Sequence, residues 1–223
     1  MSVVKENLKI VLEEIEKHGK GERVTLVAVT KNHGAEIVRE AVDCGIADIG
    51  ENRVQEAAEK FQTLNLDGVT KHLIGHLQTN KAKQAVKIFD VIHSVDSENL
   101  ATAINKSAAS IGKLQDVLIQ VNLAKEDTKF GVYEENLSAL IETVDKLENL
   151  QLRGLMMIAP NYADVEMCRP LFREMRKIFD ELKRTRKNFD LLSMGMTHDY
   201  KIAVEEGANV VRVGTAIFGE RIY

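Results

Sequence analysis

At 223 residues the chain is long enough for one large α/β core and leaves little for a second domain, so residues 1–223 are expected to form a single unit. The 30 Lys and Arg against 34 Asp and Glu give a formal charge of -4, which argues against a nucleic acid or an anionic membrane held by bulk charge. The N-terminal stretch MSVVKENLKIVLEEIEKHGK breaks its apolar positions with charges at helical spacing, unlike a secretory or membrane-spanning segment, and a cytoplasmic protein is expected. Two cysteines, Cys44 and Cys168, are too few for a disulfide framework or a cysteine-rich zinc site.

Val4, Leu8, Val11, Leu12 and Ile15 share one face of a first helix, expected to lie as a lid over the floor of the fold. Val24 to Lys31 (VTLVAVTK) then reads as a parallel strand buried on both faces, with Lys31 at its C-terminal end. Asn32 and His33 turn the chain into a helix beginning at Gly34, with Ile37, Val38, Ala41 and Val42 inward and Gly45 at its close. Ile46 to Gly50 is a short strand leading to Asn52, and Val54, Ala57, Ala58 and Phe61 form the next helical stripe.

The unit keeps repeating. Strands are expected at His72–Gly75, Val91–His93, Val117–Asn122, Gln151–Ile158, Leu191–Ser193 and Val210–Val213. Between them lie helices over residues 76–89, 97–112 and 134–147, one with Pro170 in its first turn and Phe172, Met175, Ile178, Phe179 and Leu182 on one face, and one after the SMGMTHD turn. Eight strand–helix units at an even period predict a (β/α)₈ TIM barrel with an extra N-terminal helix; a doubly wound open sheet is the alternative, because periodicity does not show closure. The basic run KRTRK (183–187) reads as a solvated helix end.

Barrels keep their active sites at the C-terminal ends of the strands. Lys31, Asn52, His76, His93, Asn122, Ser193, Thr197, Arg212, Gly214 and Thr215 are all expected there or in the following turns. A lysine in apolar surroundings is poorly solvated as an ammonium, which favours its neutral, nucleophilic form; a lysine that merely snorkels from a strand end is the plain alternative. SMGMT and GT offer hydroxyls and small residues where barrels commonly hold phosphate, so the set suits a phosphorylated aldehyde. His72 and His76 have the spacing of a helical metal pair, but the strand reading and the lack of a nearby acidic ligand leave no metal site expected. Neither a complete dinucleotide fingerprint nor a Walker A pattern is present.

Seven blocks in order carry a resemblance to a known family: VAVTK around Lys31, IGENRVQE from Ile49, HLIGHLQTNK from His72, VNLAKEDTKFG from Val121, RGLMMIAP from Arg153, SMGMTHD from Ser193 and VRVGTAIFGERIY from Val211. The chain resembles the YggS/PROSC family of pyridoxal phosphate homeostasis proteins over nearly its whole length. It departs at Lys71, where the family usually has an aromatic residue, and at Thr197, where it usually has serine.

The resemblance implies a single barrel like the N-terminal domain of alanine racemase, monomeric, binding pyridoxal 5'-phosphate (PLP) as a Schiff base on Lys31. It implies Asn52 beside the cofactor, Ser193, Thr197, Gly214 and Thr215 on its phosphate, and Arg212 at the pyridine nitrogen. It further implies a carrier, buffer or regulator of PLP and vitamin B6 balance, with apo PLP-dependent enzymes as candidate recipients. A racemase of the alanine racemase type is the alternative, expected to turn over poorly in a chain that stops just after the barrel; a binder of another phosphorylated metabolite is a third class.

Overall fold

The VTLVAVTK run forms β1 (Thr25–Val29), buried on both faces as its lack of polar alternation requires. The structure is a computed structural model that describes residues 2–219; residues 220–223, the end of the VRVGTAIFGERIY block, lie outside the described residues. After β1 come β2 (Asp48–Glu51), β3 (Thr70–Leu73), β4 (Val91–Val95), β5 (Gln115–Val121), β6 (Leu150–Met157), β7 (Leu191–Met196) and β8 (Val210–Val213). Each pairs in parallel with the next, and β8 returns to β1 with Thr25 opposite Val210 and Ala28 opposite Val213. The sheet is therefore a closed eight-stranded barrel, and the open-sheet alternative is excluded.

The helices are α1 (Val3–His18), α2 (Ala35–Asp43), α3 (Val54–Phe61), α4 (Ala82–Ile88), α5 (Glu98–Ala109), α6 (Glu134–Asp145), α7 (Arg169–Lys183), α8 (Tyr200–Glu205) and α9 (Thr215–Phe218). Local chemistry explains several starts: the Ser2 hydroxyl accepts from the Lys5 N–H, the Ser97 hydroxyl accepts from the Leu100 N–H, and Pro170 falls in the first turn of α7. The main core lies between sheet and helices, where Phe89, Phe172, Phe179 and Phe189 are buried. A smaller core of Val91, Leu118 and Met156 occupies part of the barrel interior.

Two expectations change. Helix α1 is no lid: it packs chiefly against α8, α9 and α2, completing the outer ring beside the six-residue α8. Asn7 Nδ2 donates to the Ile217 carbonyl, Lys201 pairs with Glu14, and His18 Nδ1 meets Glu205 Oε1 at 2.5 Å. Strands β4 and β7 also run beyond His93 and Ser193, to Val95 and Met196, with irregular register near both residues. Both side chains are fully buried inside the barrel rather than at its mouth.

Candidate functional site

Side chains alternate along a strand, so Val29 and Lys31 on the β1 side and Arg212 on the β8 side point to the barrel axis, with Gly214 two positions beyond Arg212. At the C-terminal mouth they line a cavity of about 250 Å³ with Asn52, Thr197 and Thr215. Six of the seven predicted binding residues thus share one space. Met196, His198, His33, Ile74 and Ile158 complete its wall; sequence reasoning missed these, although the parity of Ile74 and Ile158 with inward residues was readable.

The phosphate-like corner is built by turns. Gly195 has φ +94°, and a Cβ there would meet Ala203 Cβ at 2.6 Å, so the SMGMTHD turn requires glycine. The Asp199 carboxylate accepts from the Met196 N–H at 2.6 Å and fixes the turn; burial pushes its pKa up. Thr197 Oγ1 accepts from the Gly214 N–H at 3.3 Å, which joins the two turns and leaves the hydroxyl hydrogen available to a ligand. Gly75 is needed on the other wall, because a Cβ there would lie 2.3 Å from the Asn52 carbonyl. Among the described residues the buried Asn52 Oδ1 has no hydrogen-bond partner, an acceptor at the cavity that a donor on a ligand would satisfy.

Lys31 is bracketed by an ionic cluster behind the barrel wall. Lys60 on α3 donates to the Thr30 carbonyl at 2.7 Å, to Glu51 Oε1 at 2.5 Å and to Glu56 Oε1 at 3.1 Å. The Thr30 hydroxyl also donates to Glu51, at 2.6 Å, and the Asn32 N–H donates to Glu56, at 2.5 Å. The backbone is thus held on both sides of Lys31, with Asn32 in the left-handed region at φ +61°. Glu51 is fully buried, and desolvation raises its pKa despite Lys60 and Thr30. Nothing in the residue types singled out Lys60 or Glu51; the IGENRVQE block contains Glu51 but ends before Lys60.

Ser193 differs from the other predicted binders. Fully buried beneath the cavity, it accepts from Arg212 Nη1 at 2.6 Å and meets His93 Nδ1 at 3.0 Å. It does not line the cavity, so its predicted place on a phosphate is corrected to a place under Arg212. Arg212 also donates from Nη2 to the Met157 carbonyl at 2.8 Å, and burial pushes its pKa down to about 10, which leaves it charged at neutral pH.

The remaining mouth candidates go elsewhere. Asn122 donates from Nδ2 to the carbonyls of Glu126 and Lys129 and shapes the β5–α6 loop. His76 stacks on Phe130, with ring centroids 3.6 Å apart, and faces Asp96 at 3.5 Å, whereas His72 turns into the barrel toward Asp48 and His93. Among the described residues no group of three His, Cys, Asp or Glu is placed to hold a metal, and no helix is long and apolar enough to cross a membrane. Lys71 pairs with Asp90 at 3.1 Å at the start of β3, away from the cavity lining.

Residues 3–222 match the family described as alanine racemase, N-terminal domain. The chain is 45% identical over 225 residues to the pyridoxal phosphate homeostasis protein of Aquifex aeolicus (strain VF5), covering 98% of each. It is 38% identical over 205 residues to that of Escherichia coli (strain K12), covering 91% of this chain and 88% of the other. Among solved structures, PipY of Synechococcus elongatus PCC7942 with PLP bound superposes with a TM-score of 0.87 at 39% identity, covering 97% of this chain and all of that one. Alanine racemase from Clostridium difficile 630 shares the fold, with a TM-score of 0.72 at 20% identity over 98% of this chain and 57% of its own. On these matches the chain belongs to the pyridoxal phosphate homeostasis family, built on the alanine racemase N-terminal domain.

Proposed function

We propose that this chain binds PLP covalently through Lys31 and serves PLP homeostasis as a carrier or buffer rather than as a catalyst. The observation that carries the reading is the convergence of Lys31, Asn52, Thr197, Arg212, Gly214 and Thr215 on one cavity at the C-terminal end of the barrel. The residues fit the group: two hydroxyls and a glycine turn suit a phosphate, and the orphaned Asn52 amide oxygen awaits a polar partner. Bound there, the cofactor supplies an aldehyde that an amine can capture.

Lys31 offers that amine from a backbone clamped at Thr30 and Asn32. Thr197 and Thr215 donate hydroxyl hydrogens toward the phosphate, and the Thr197–Gly214 bond keeps the two turns in register. Arg212 has only donors, so the ring atom it faces must accept, and a ring nitrogen without a proton is a weak electron sink. That favours retention over amino-acid chemistry. The relatives at 45% and 38% identity carry homeostasis names, whereas the racemase named above shares only the fold, which supports the non-catalytic reading. We place the protein in the cytoplasm, acting as a monomer with the whole chain as one unit and apo PLP enzymes as recipients; the free thiols of Cys44 and Cys168 are in keeping with a reducing compartment.

The test is spectroscopic. Wild type mixed with PLP should develop a visible band, and borohydride reduction with peptide mapping should place the adduct on Lys31; Lys31→Ala should stay folded and lose both. An adduct on another lysine would move the assignment. Pyridoxal without phosphate should bind more weakly, and equal binding would remove the phosphate corner. Rapid α-hydrogen exchange of alanine in deuterated water would favour the racemase over the carrier, and holo-protein should restore an apo PLP enzyme more effectively than the same concentration of free cofactor.

A further inference from the structure

Asp48 on β2, His72 on β3, His93 on β4, Ser193 on β7 and Arg212 on β8 all point into the barrel, and consecutive members lie within hydrogen-bond distance. Asp48 Oδ1 is 2.9 Å from His72 Nε2, and His72 Nδ1 is 2.9 Å from His93 Nε2. His93 Nδ1 is 3.0 Å from Ser193 Oγ, which is 2.6 Å from Arg212 Nη1. The Ser193–His93 link spans the interior between strands that are not neighbours in the barrel.

We propose that these residues form a hydrogen-bond chain of one fixed direction, from Arg212 to Asp48, in which His93 is a positioning residue that sets how Arg212 meets the bound ligand. The direction follows from both ends. A guanidinium only donates, so Ser193 Oγ accepts from Arg212. Its other partner among the described residues is His93 Nδ1, so the hydroxyl hydrogen points there and Nδ1 accepts. His93 is then neutral, carries its hydrogen on Nε2 and donates to His72 Nδ1. His72 in turn carries its hydrogen on Nε2 and donates to Asp48, which as a carboxylate can only accept.

Burial, with the Arg212 guanidinium nearby, holds the His93 pKa well below the ordinary value, in keeping with a neutral ring. The arrangement answers a physical problem. Among the described residues no carboxylate pairs directly with Arg212; Asp199 favours its charge from a distance, and dipoles aligned toward Asp48 add to that and fix the guanidinium plane. Ser193 Oγ and the Met157 carbonyl each take one Nη, so the guanidinium cannot rotate freely at the cavity wall.

The ligand-facing half of the proposal rests on the PLP reading above; the chain itself does not. Imidazole nitrogens of ¹⁵N-histidine-labelled, ligand-free protein should show both His72 and His93 as neutral Nε2–H tautomers at neutral pH, assigned with His72→Gln and His93→Gln. A hydrogen on His93 Nδ1 in wild type would overturn the chain. PLP titrations then test positioning. His93→Leu should weaken binding roughly tenfold or more, as expected for an impaired bond to a charged group, and move the visible absorption maximum. His93→Gln, which can both accept and donate, should recover most of each.

Should His93→Leu fail to fold, Ser193→Ala carries the same expectation and Ser193→Thr the rescue. A folded chain-breaking variant with wild-type affinity and spectrum would overturn the positioning role. A wild type that takes up no PLP would overturn the function proposed above together with the ligand-facing half, while the tautomers would still decide the chain.

Discussion

Two buried polar systems flank the barrel mouth, and they solve the burial of a cation in opposite ways. Behind β1 and β2, outside the barrel wall, Lys60 meets Glu51 and Glu56 directly, and the ion cluster grips the backbone around Lys31. Inside the barrel, Arg212 is held by a hydroxyl and a carbonyl, and its nearest links lead through neutral imidazoles to Asp48. Carboxylates placed on the outer face of β2 and on α3 leave the cavity unaffected, whereas one placed against Arg212 would compete with any anionic or accepting ligand for the same donors. The contrast teaches where each charge is meant to be spent: Lys60 on the fold, Arg212 toward the cavity.

Removing Lys60 should have the largest effect on stability. Lys60→Met leaves Glu51 fully buried without its cation, and breaking such a pair costs about 3–5 kcal/mol. With the folded Glu51 pKa raised further, the folded state binds the extra proton, so the variant should lose stability as pH rises from about 4.5, the unfolded value, through the folded pKa. Urea denaturation should therefore show a smaller deficit at mildly acidic than at neutral pH. The same variant should capture PLP more slowly through Lys31. A deficit independent of pH would mean that the cluster is packing rather than charge.

Thr197→Ala should leave the stability of both systems intact and weaken PLP by about 1.5–3 kcal/mol, the range for a hydrogen bond to a charged group. Calorimetry checks it. An equal loss for pyridoxal would show that Thr197 acts on the turn and not on the phosphate, since its hydroxyl also accepts from Gly214.

The order of the eight units and the placing of Lys31, Asn52, Thr197, Arg212, Gly214 and Thr215 at one mouth were legible because each rests on local pattern: a lysine after an apolar strand, glycine and hydroxyl residues in turns; closure of the sheet was not, since periodicity does not carry it. Ser193 and His93 were misplaced for a reason that is also physical. A polar residue in a short apolar strand reads as its end, yet a barrel interior accepts one whose partner comes from across the axis, a relation that no local window carries. Lys60 was illegible likewise: it sits one position from the apolar stripe of α3 and is buried only because Glu51 and the Thr30 carbonyl meet it.

The interior system makes its own pH prediction. A free histidine takes a proton near pH 6.5, whereas folded His93 resists it, so below about 6.5 the unfolded chain binds more protons and stability falls as pH falls. One such group contributes a slope of at most about 1.4 kcal/mol per pH unit. Comparing wild type with His93→Gln by urea denaturation at successive pH values should show the variant's slope shallower by roughly that amount. Equal slopes would mean that His93 protonates in the folded state and that Arg212 tolerates a second cation beside Ser193.

The smallest effect is expected at Lys71, at the start of β3. Its ammonium pairs with Asp90 at 3.1 Å and donates to the Val69 carbonyl at 3.3 Å, but the two paired side chains remain 26% and 45% exposed. Water already solvates both partners, so the pair is worth about 0.2–1 kcal/mol, and Lys71→Ala should cost no more than that by denaturation. The backbone N–H of residue 71 also donates to Asp90, so the carboxylate stays anchored when the side chain is removed. Raising the salt concentration should shrink the difference between wild type and variant, while Lys60→Met should respond far less, because its charges are shielded from solvent. PLP affinity should not change in Lys71→Ala, since the cavity wall contains nothing from that end of β3. A salt-insensitive loss of several kcal/mol would place Lys71 with Lys60 as an internal anchor and end the distinction between an exposed pair and the buried ones.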